Sequence, residues 1–125
     1  MSKKIITVPD SPKLPFSPAI KAGDFIFVSG QTGFADPRTG KEIKDIAAQT
    51  QQCLDGIKQV LEAAGASLND VVKVNVYLRN AEDFPRMNEI YIRYFQSNYP
   101  ARTTVQPGLV TPPMLIEIDC IAYHP

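Results

Sequence analysis

Histidine is almost missing from this chain of 125 residues; the single one is the penultimate His124, at an end expected to fray. A Ser-His-Asp or Cys-His arrangement therefore has no base to draw on within one chain. Cysteine is scarce as well, with only Cys53 and Cys120 and no C-x-x-C spacing. Cys53 falls in a helical apolar stripe and Cys120 on an apolar strand face. Both read as buried thiols of a reducing compartment, not as metal ligands or a disulfide. Neither charge prevails: thirteen basic residues balance thirteen acidic ones, and no run of like charge exceeds Lys3-Lys4. That balance argues against a nucleic-acid partner, which calls for a basic patch. Long hydrophobic runs are lacking too. Met1 to Pro9 has no signal-peptide core and no segment approaches a membrane span, so a cytoplasmic protein without a membrane partner is expected. Gly30-Gln31-Thr32-Gly33 is too short for a dinucleotide fingerprint, and no zinc or phosphate-loop motif is present. No metal and no cofactor are expected.

What is present reads as one domain over residues 1–125, long enough for a hydrophobic core. The eleven prolines are dispersed, with clusters at Pro9 to Pro18 and Pro107 to Pro113 that predict irregular or edge backbone there. Phe16 to Ile20 and Asp24 to Gln31 predict a hairpin turning at Lys21-Ala22-Gly23-Asp24. Phe25-Ile26-Phe27-Val28 is apolar at both parities and predicts a strand covered on both faces. Asp45 is placed to cap a helix whose stripe runs Ile46, Thr50, Cys53, Leu54, Ile57, Val60, Leu61 and Ala64, with Gly65 as its stop. Val72, Val74, Val76 and Leu78 alternate with Lys73, Asn75, Tyr77 and Arg79, a strand with one apolar face. Asp83 is placed to cap a second helix, with Pro85 in its first turn and Phe84, Met87, Ile90, Tyr91, Tyr94 and Phe95 on its stripe. Two final strands bring the order to β-β-α-β-α-β-β. This is an α+β arrangement, a single mixed sheet with both helices on one face. The other face is half apolar and is expected to be buried against another subunit.

Those last strands carry the candidate chemistry. Arg102, Thr104 and Gln106 share one parity of the first; Glu117 and Asp119 share one parity of the second, opposite Ile116, Ile118 and Cys120. If the two strands pair, a guanidinium and a carboxylate can face one cleft and seat a small carboxylic acid and a water. A solvated face with an ordinary ion pair is the competing reading.

Several motifs carry a wider likeness. Ser29-Gly30-Gln31 after an apolar strand, Phe84-x-x-Met87-Asn88-Glu89-x-Tyr91, Pro100-Ala101-Arg102 and Ile116-Glu117-Ile118 occur in order within Phe16 to Tyr123. In this the chain resembles the RidA/YjgF family, also called the L-PSP or translation-initiation-inhibitor family. The resemblance implies a fold like chorismate mutase of the bacillus type, a homotrimer, and ligand clefts between subunits. It implies cofactor-free hydrolysis of reactive 2-iminoacids, such as 2-iminobutanoate and 2-iminopropanoate, to 2-oxoacids and ammonia. By motif match Arg102 grips the substrate carboxylate, Glu117 positions a water, and Ser29 with Gly30 holds the ligand. Asn88 lines or supports the site. Phe16 walls the cleft where deaminase members commonly carry tyrosine, and Thr104 stands where several members have cysteine. Two other functions fit the likeness: a 2-oxoacid-binding regulatory trimer without chemistry, and an endoribonuclease or translation inhibitor.

Overall fold

In the computed structural model, which describes residues 2–9 and 12–125, six strands form one mixed sheet that carries both helices on one face. The elements are β1 (Lys4–Ile6), β2 (Ala19–Ala22), β3 (Phe25–Thr32), α1 (Ile46–Ala63), β4 (Val71–Leu78), α2 (Phe84–Phe95), β5 (Ala101–Val105) and β6 (Ile116–Tyr123). Their spatial order is β1-β2-β3-β6-β4-β5. Only β4 and β5 run parallel; the other pairs are antiparallel. Among the described residues no helix is long and apolar enough to cross a membrane.

The expected element order is recovered with one addition. β1 was not expected, because three residues are too few to show a period. It exists because β2 offers an open edge, to which Lys4, Ile5 and Ile6 pair while Ile6 enters the core.

The helices form for the expected local reasons, with one exception. Asp45 accepts from the Ala48 amide at 3.0 Å, and Gly65 stops α1 at φ +80°, where a side chain would be strained. Cys53, Leu54, Ile57, Val60 and Leu61 then meet the sheet. In α2 Pro85 occupies the first turn, as expected, but Asp83 makes no capping bond. A 3-10 turn at Ala81–Asp83 runs straight into the helix and leaves Asp83 in helical backbone, not the extended form a cap needs.

Two strand expectations are corrected. Val74, Val76 and Leu78 are buried but Val72 is exposed. A bulge between Val71 and Lys73 inserts one residue against β6, so the parity shifts and Val71 takes the inward place. Phe25 and Phe27 are 43% and 46% exposed, although cover on both faces was expected. The helices cover only the side of Ile26 and Val28. On the other side Phe25 meets Tyr123 in the open, their rings tilted with centroids 5.2 Å apart.

β6 sets the character of both faces at the middle of the sheet. Lying between β3 and β4, it buries Ile116, Ile118, Cys120 and Ala122 under the helices and turns Glu117 and Asp119 to the open face.

Candidate functional site

Glu117 sits in a gap made by glycine. Thr32 is its register partner on β3; beside that pair, opposite Asp119, β3 bulges between Val28 and Gln31, so that Ser29-Gly30 inserts an extra residue. A Cβ built on Gly30 would overlap the Glu117 carboxylate. Glycine is thus required here by close approach. On the other flank β4 sets Tyr77 opposite Glu117 and Asn75 opposite Asp119. The Asn75 amide and the Tyr77 hydroxyl both donate to Asp119, at 2.8 Å and 2.9 Å. No described residue donates to Glu117. Partial burial pushes the Glu117 carboxyl above its ordinary range, and the neighbouring Asp119 charge adds to that. Tyr77 is raised as well, chiefly by its bond to Asp119.

A cavity of about 240 Å³ opens over this group, lined by Gly30, Tyr77, Glu117, Asp119 and the loop Pro107 to Val110. Two residues that the sequence reading did not single out hold that loop. The Arg79 guanidinium donates to the carbonyls of Met114 (2.6 Å), Thr111 (3.0 Å) and Leu109 (3.4 Å). Gln49, fully buried, donates to the Pro113 carbonyl and accepts from the Leu115 amide. The available signal was Gln49 itself, a polar residue beside the apolar stripe of α1.

Arg102 lies elsewhere. β4 separates β5 from β6, so the pairing that would bring Arg102 and Glu117 into one cleft of a single chain does not occur. Arg102 is in register with the buried Val74, and residues in register project to the same side. It therefore faces the helices, opposite to Glu117. Its guanidinium stands 4.7 Å from the Tyr91 ring and 5.6 Å from the Phe84 ring, cation–π distances. Phe84, expected on the buried stripe of α2, is 40% exposed and forms part of this seat. No described carboxylate pairs with Arg102. A second cavity, of about 290 Å³, is lined by Asn88, Tyr91, Ile92, Tyr99, Pro100 and Arg102. Asn88 Oδ1 and the Tyr91 hydroxyl are buried there without hydrogen-bond partners. Burial pushes the Tyr91 phenol up to about 12, against the opposing pull of Arg102.

The remaining candidates divide between these half-sites. Ser29 gives its hydroxyl to the Ser17 carbonyl at 2.6 Å and its amide to the Pro18 carbonyl, tying the start of β2 to the bulge beside Gly30. Phe16, 58% exposed, precedes that tie. Thr104 is in register with Val76 and shares the Arg102 side of the sheet. His124 is not frayed: its amide donates to the Asp24 carbonyl and its ring meets Asp70 at 3.3 Å. It lies seven positions along from Glu117, about 23 Å at the strand rise. Among the described residues no group of three or more His, Cys, Asp or Glu side chains is placed to hold a metal ion.

Each half-site can do one thing. A bare carboxylate with raised proton affinity can accept and return a proton. A guanidinium held by aromatic rings can fork onto a carboxylate.

Comparison with known proteins agrees over the whole length. The chain is 50% identical over 124 residues to a RutC family protein of Pyrococcus horikoshii, covering 97% of this chain and 98% of that one. It is 40% identical to the 3-aminoacrylate deaminase RutC of Acinetobacter baylyi, covering 98% and 99%. It is 38% identical to the 2-iminobutanoate/2-iminopropanoate deaminase of Dermatophagoides farinae, covering 95% and 94%. The crystal structure of the YjgF gene product from E. coli superimposes with a TM-score of 0.87 at 34% identity, covering 96% of this chain and 98% of that one. The family model described as Endoribonuclease L-PSP matches residues 8–124, and with the motifs already in place the chain belongs to that family, the RidA/YjgF family.

Proposed function

We propose that this protein is a cofactor-free hydrolytic deaminase, converting small 2-iminoacids such as 2-iminobutanoate and 2-iminopropanoate to 2-oxoacids and ammonia. It works as a homotrimer with its clefts between subunits. One observation carries the reading. Among the described residues Arg102 has no carboxylate partner and the Glu117 carboxylate has no donor, and the strand order keeps the two on opposite faces of one chain. A second copy laid on the open face supplies the missing half and covers Phe25, Phe27 and Tyr123, which one chain leaves half exposed. The deaminase names of two relatives support the reaction class.

The chemistry follows from the two groups. Arg102 takes the substrate carboxylate in a bidentate fork, which orients the adjoining C=N bond. Protonated, that carbon is already electrophilic. Glu117 aims a water at it and accepts the water's proton as the C–O bond forms, giving a tetrahedral carbinolamine. Glu117 then hands the proton to nitrogen, ammonia leaves as the C–N bond breaks, and the remaining hydroxyl proton passes to the freed Glu117 carboxylate and on to water as the ketone forms.

Phe16, exposed next to the Ser17–Ser29 tie and without a phenol to bond a ligand, favours a second reading: a trimer that binds 2-oxoacids without chemistry. Generating 2-iminobutanoate in place and following ammonia or 2-oxobutanoate release separates the two. Accelerated release, unchanged by a chelator, is expected. An iminoacid lifetime left at its buffer value, with 2-oxobutanoate still bound, overturns the deaminase reading. Light scattering should give three times the 13.8 kDa chain mass; a value at 13.8 kDa overturns the shared cleft.

A further inference from the structure

The open face holds two carboxylates, and β4 treats them differently. Glu117 and Asp119 are two residues apart on one strand and point to the same side, roughly 7 Å apart along it. Directly opposite Asp119 is Asn75, which donates to Asp119 Oδ1 at 2.8 Å. Directly opposite Glu117 is Tyr77, which does not donate to it. The Tyr77 hydroxyl passes Glu117 and reaches the diagonal Asp119 Oδ2 at 2.9 Å. Long side chains lean along a strand and can make such diagonal contacts. Both Asp119 oxygens are thereby filled, while Glu117 receives no donor from any described residue and faces the space left by Gly30.

We propose that Asp119, tied down by Asn75 and Tyr77, is a positioning residue of this site: its fixed negative charge makes Glu117 the carboxylate that takes up and returns the proton. This rests on the reading of Glu117 as the base. The two donors hold the Asp119 carboxylate in place beside its bare neighbour. Its charge then opposes ionisation of its bare neighbour, in the same sense as the upward push on Glu117.

Among the described residues, few titratable groups lie near Glu117. Asp119 lies on its own strand, Tyr77 on β4, and the buried Cys53 thiol on α1 is close enough behind the sheet to feel the Glu117 charge. β3 from Ser29 to Thr32 and the loop from Gln106 to Leu115 carry no titratable side chain. In the proposed trimer a second copy brings Arg102 to the cleft. Its opposing charge is neutralised when the substrate carboxylate binds, which leaves Asp119 as the charged neighbour that adds to the larger effect of burial while the proton moves.

The test reads Glu117 directly. Titrating its side-chain carboxyl by carbon NMR in the assembled protein should show that Asp119→Asn lowers the midpoint, with roughly tenfold weaker proton binding. Tyr77→Phe keeps the charge but removes a donor that offsets it, and should move the midpoint upward. The acid limb of kcat/KM for 2-iminobutanoate should follow in the same two directions. A merely structural tie between β4 and β6 would move neither. An unmoved Glu117 midpoint in folded Asp119→Asn overturns the inference; if that variant does not fold, a midpoint in Tyr77→Phe that fails to rise overturns it. A carboxyl that moves while the kinetic limb stays fixed supports the charge relation and refutes Glu117 as the base of the proposed reaction.

Discussion

Removing the Arg79 guanidinium should release the loop over Glu117 without unfolding the sheet. Arg79 follows the last residue of β4, and its main chain is held at Leu115 and Gln106 independently of its side chain. The side chain makes two short bonds, to Met114 and Thr111 at 2.6 Å and 3.0 Å, and a long one to Leu109 at 3.4 Å. Hydrogen bonds from a charged donor contribute about 1.5–3 kcal/mol each, and Arg79 is partly solvated, so the low end applies. The two short bonds together hold the loop by about 3 kcal/mol, roughly a hundredfold in its opening equilibrium. Gln49 still grips Pro113 and Leu115 from the core side, which confines the loosening to the part between. Hydrogen exchange reads this directly, because the Met114 amide is bonded to the Thr111 carbonyl. In Arg79→Ala its protection should fall about a hundredfold while Ile118 and Cys120 keep theirs; Arg79→Lys, with one donor group in place of the fork, should recover only part. Unchanged Met114 exchange would refute the clamp. Equal loss at Met114 and in β6 would show instead that Arg79 supports the whole fold.

Arg102→Ala should weaken 2-oxobutanoate binding by at least about tenfold, with Arg102→Lys recovering part; calorimetry showing unaltered affinity removes Arg102 from the site. Gly30 and Gly33 should respond differently to alanine. At Gly30 the new methyl meets the movable end of Glu117, so the melting temperature should barely change while turnover falls by roughly 10²-fold. At Gly33 it meets the Gln49 backbone, which cannot yield, and the loss should be about 1–3 kcal/mol of stability. Glu117→Gln should lower turnover by roughly 10²-fold or more and raise thermal stability at neutral pH. The folded-state carboxyl is held above its unfolded value, so ionisation opposes folding: the cost is absent below the unfolded value of about 4.3 and grows as pH rises through the folded one. The stability gain should therefore vanish in acid, and a gain that persists there would refute the sign.

The sequence by itself determined the elements that rest on local rules. Asp45, the stripe from Cys53 to Leu61 and the left-handed Gly65 define α1 without outside help. The alternation from Ile116 to Ala122 likewise fixes which side of β6 is buried, because the pleat makes parity a local property. Motif order pointed to Arg102 and Glu117. What tertiary structure alone decided is how these parities combine. Parity within β5 says that Arg102 opposes its neighbours, but which face it shares depends on the strand beside it. That strand is β4, inserted between β5 and β6, so Arg102 joins Val74 under the helices while Glu117 looks the other way. The bulge at Val71 to Lys73 moved Val72 outward for the same reason: a register shift leaves no mark in a strand's own pattern. Gln49 and Arg79 read locally as ordinary polar residues. Their work is to satisfy three carbonyls and one amide of a loop some thirty to sixty-five positions away in the chain. Such partners become neighbours only when the sheet closes around β6, and no local periodicity records them.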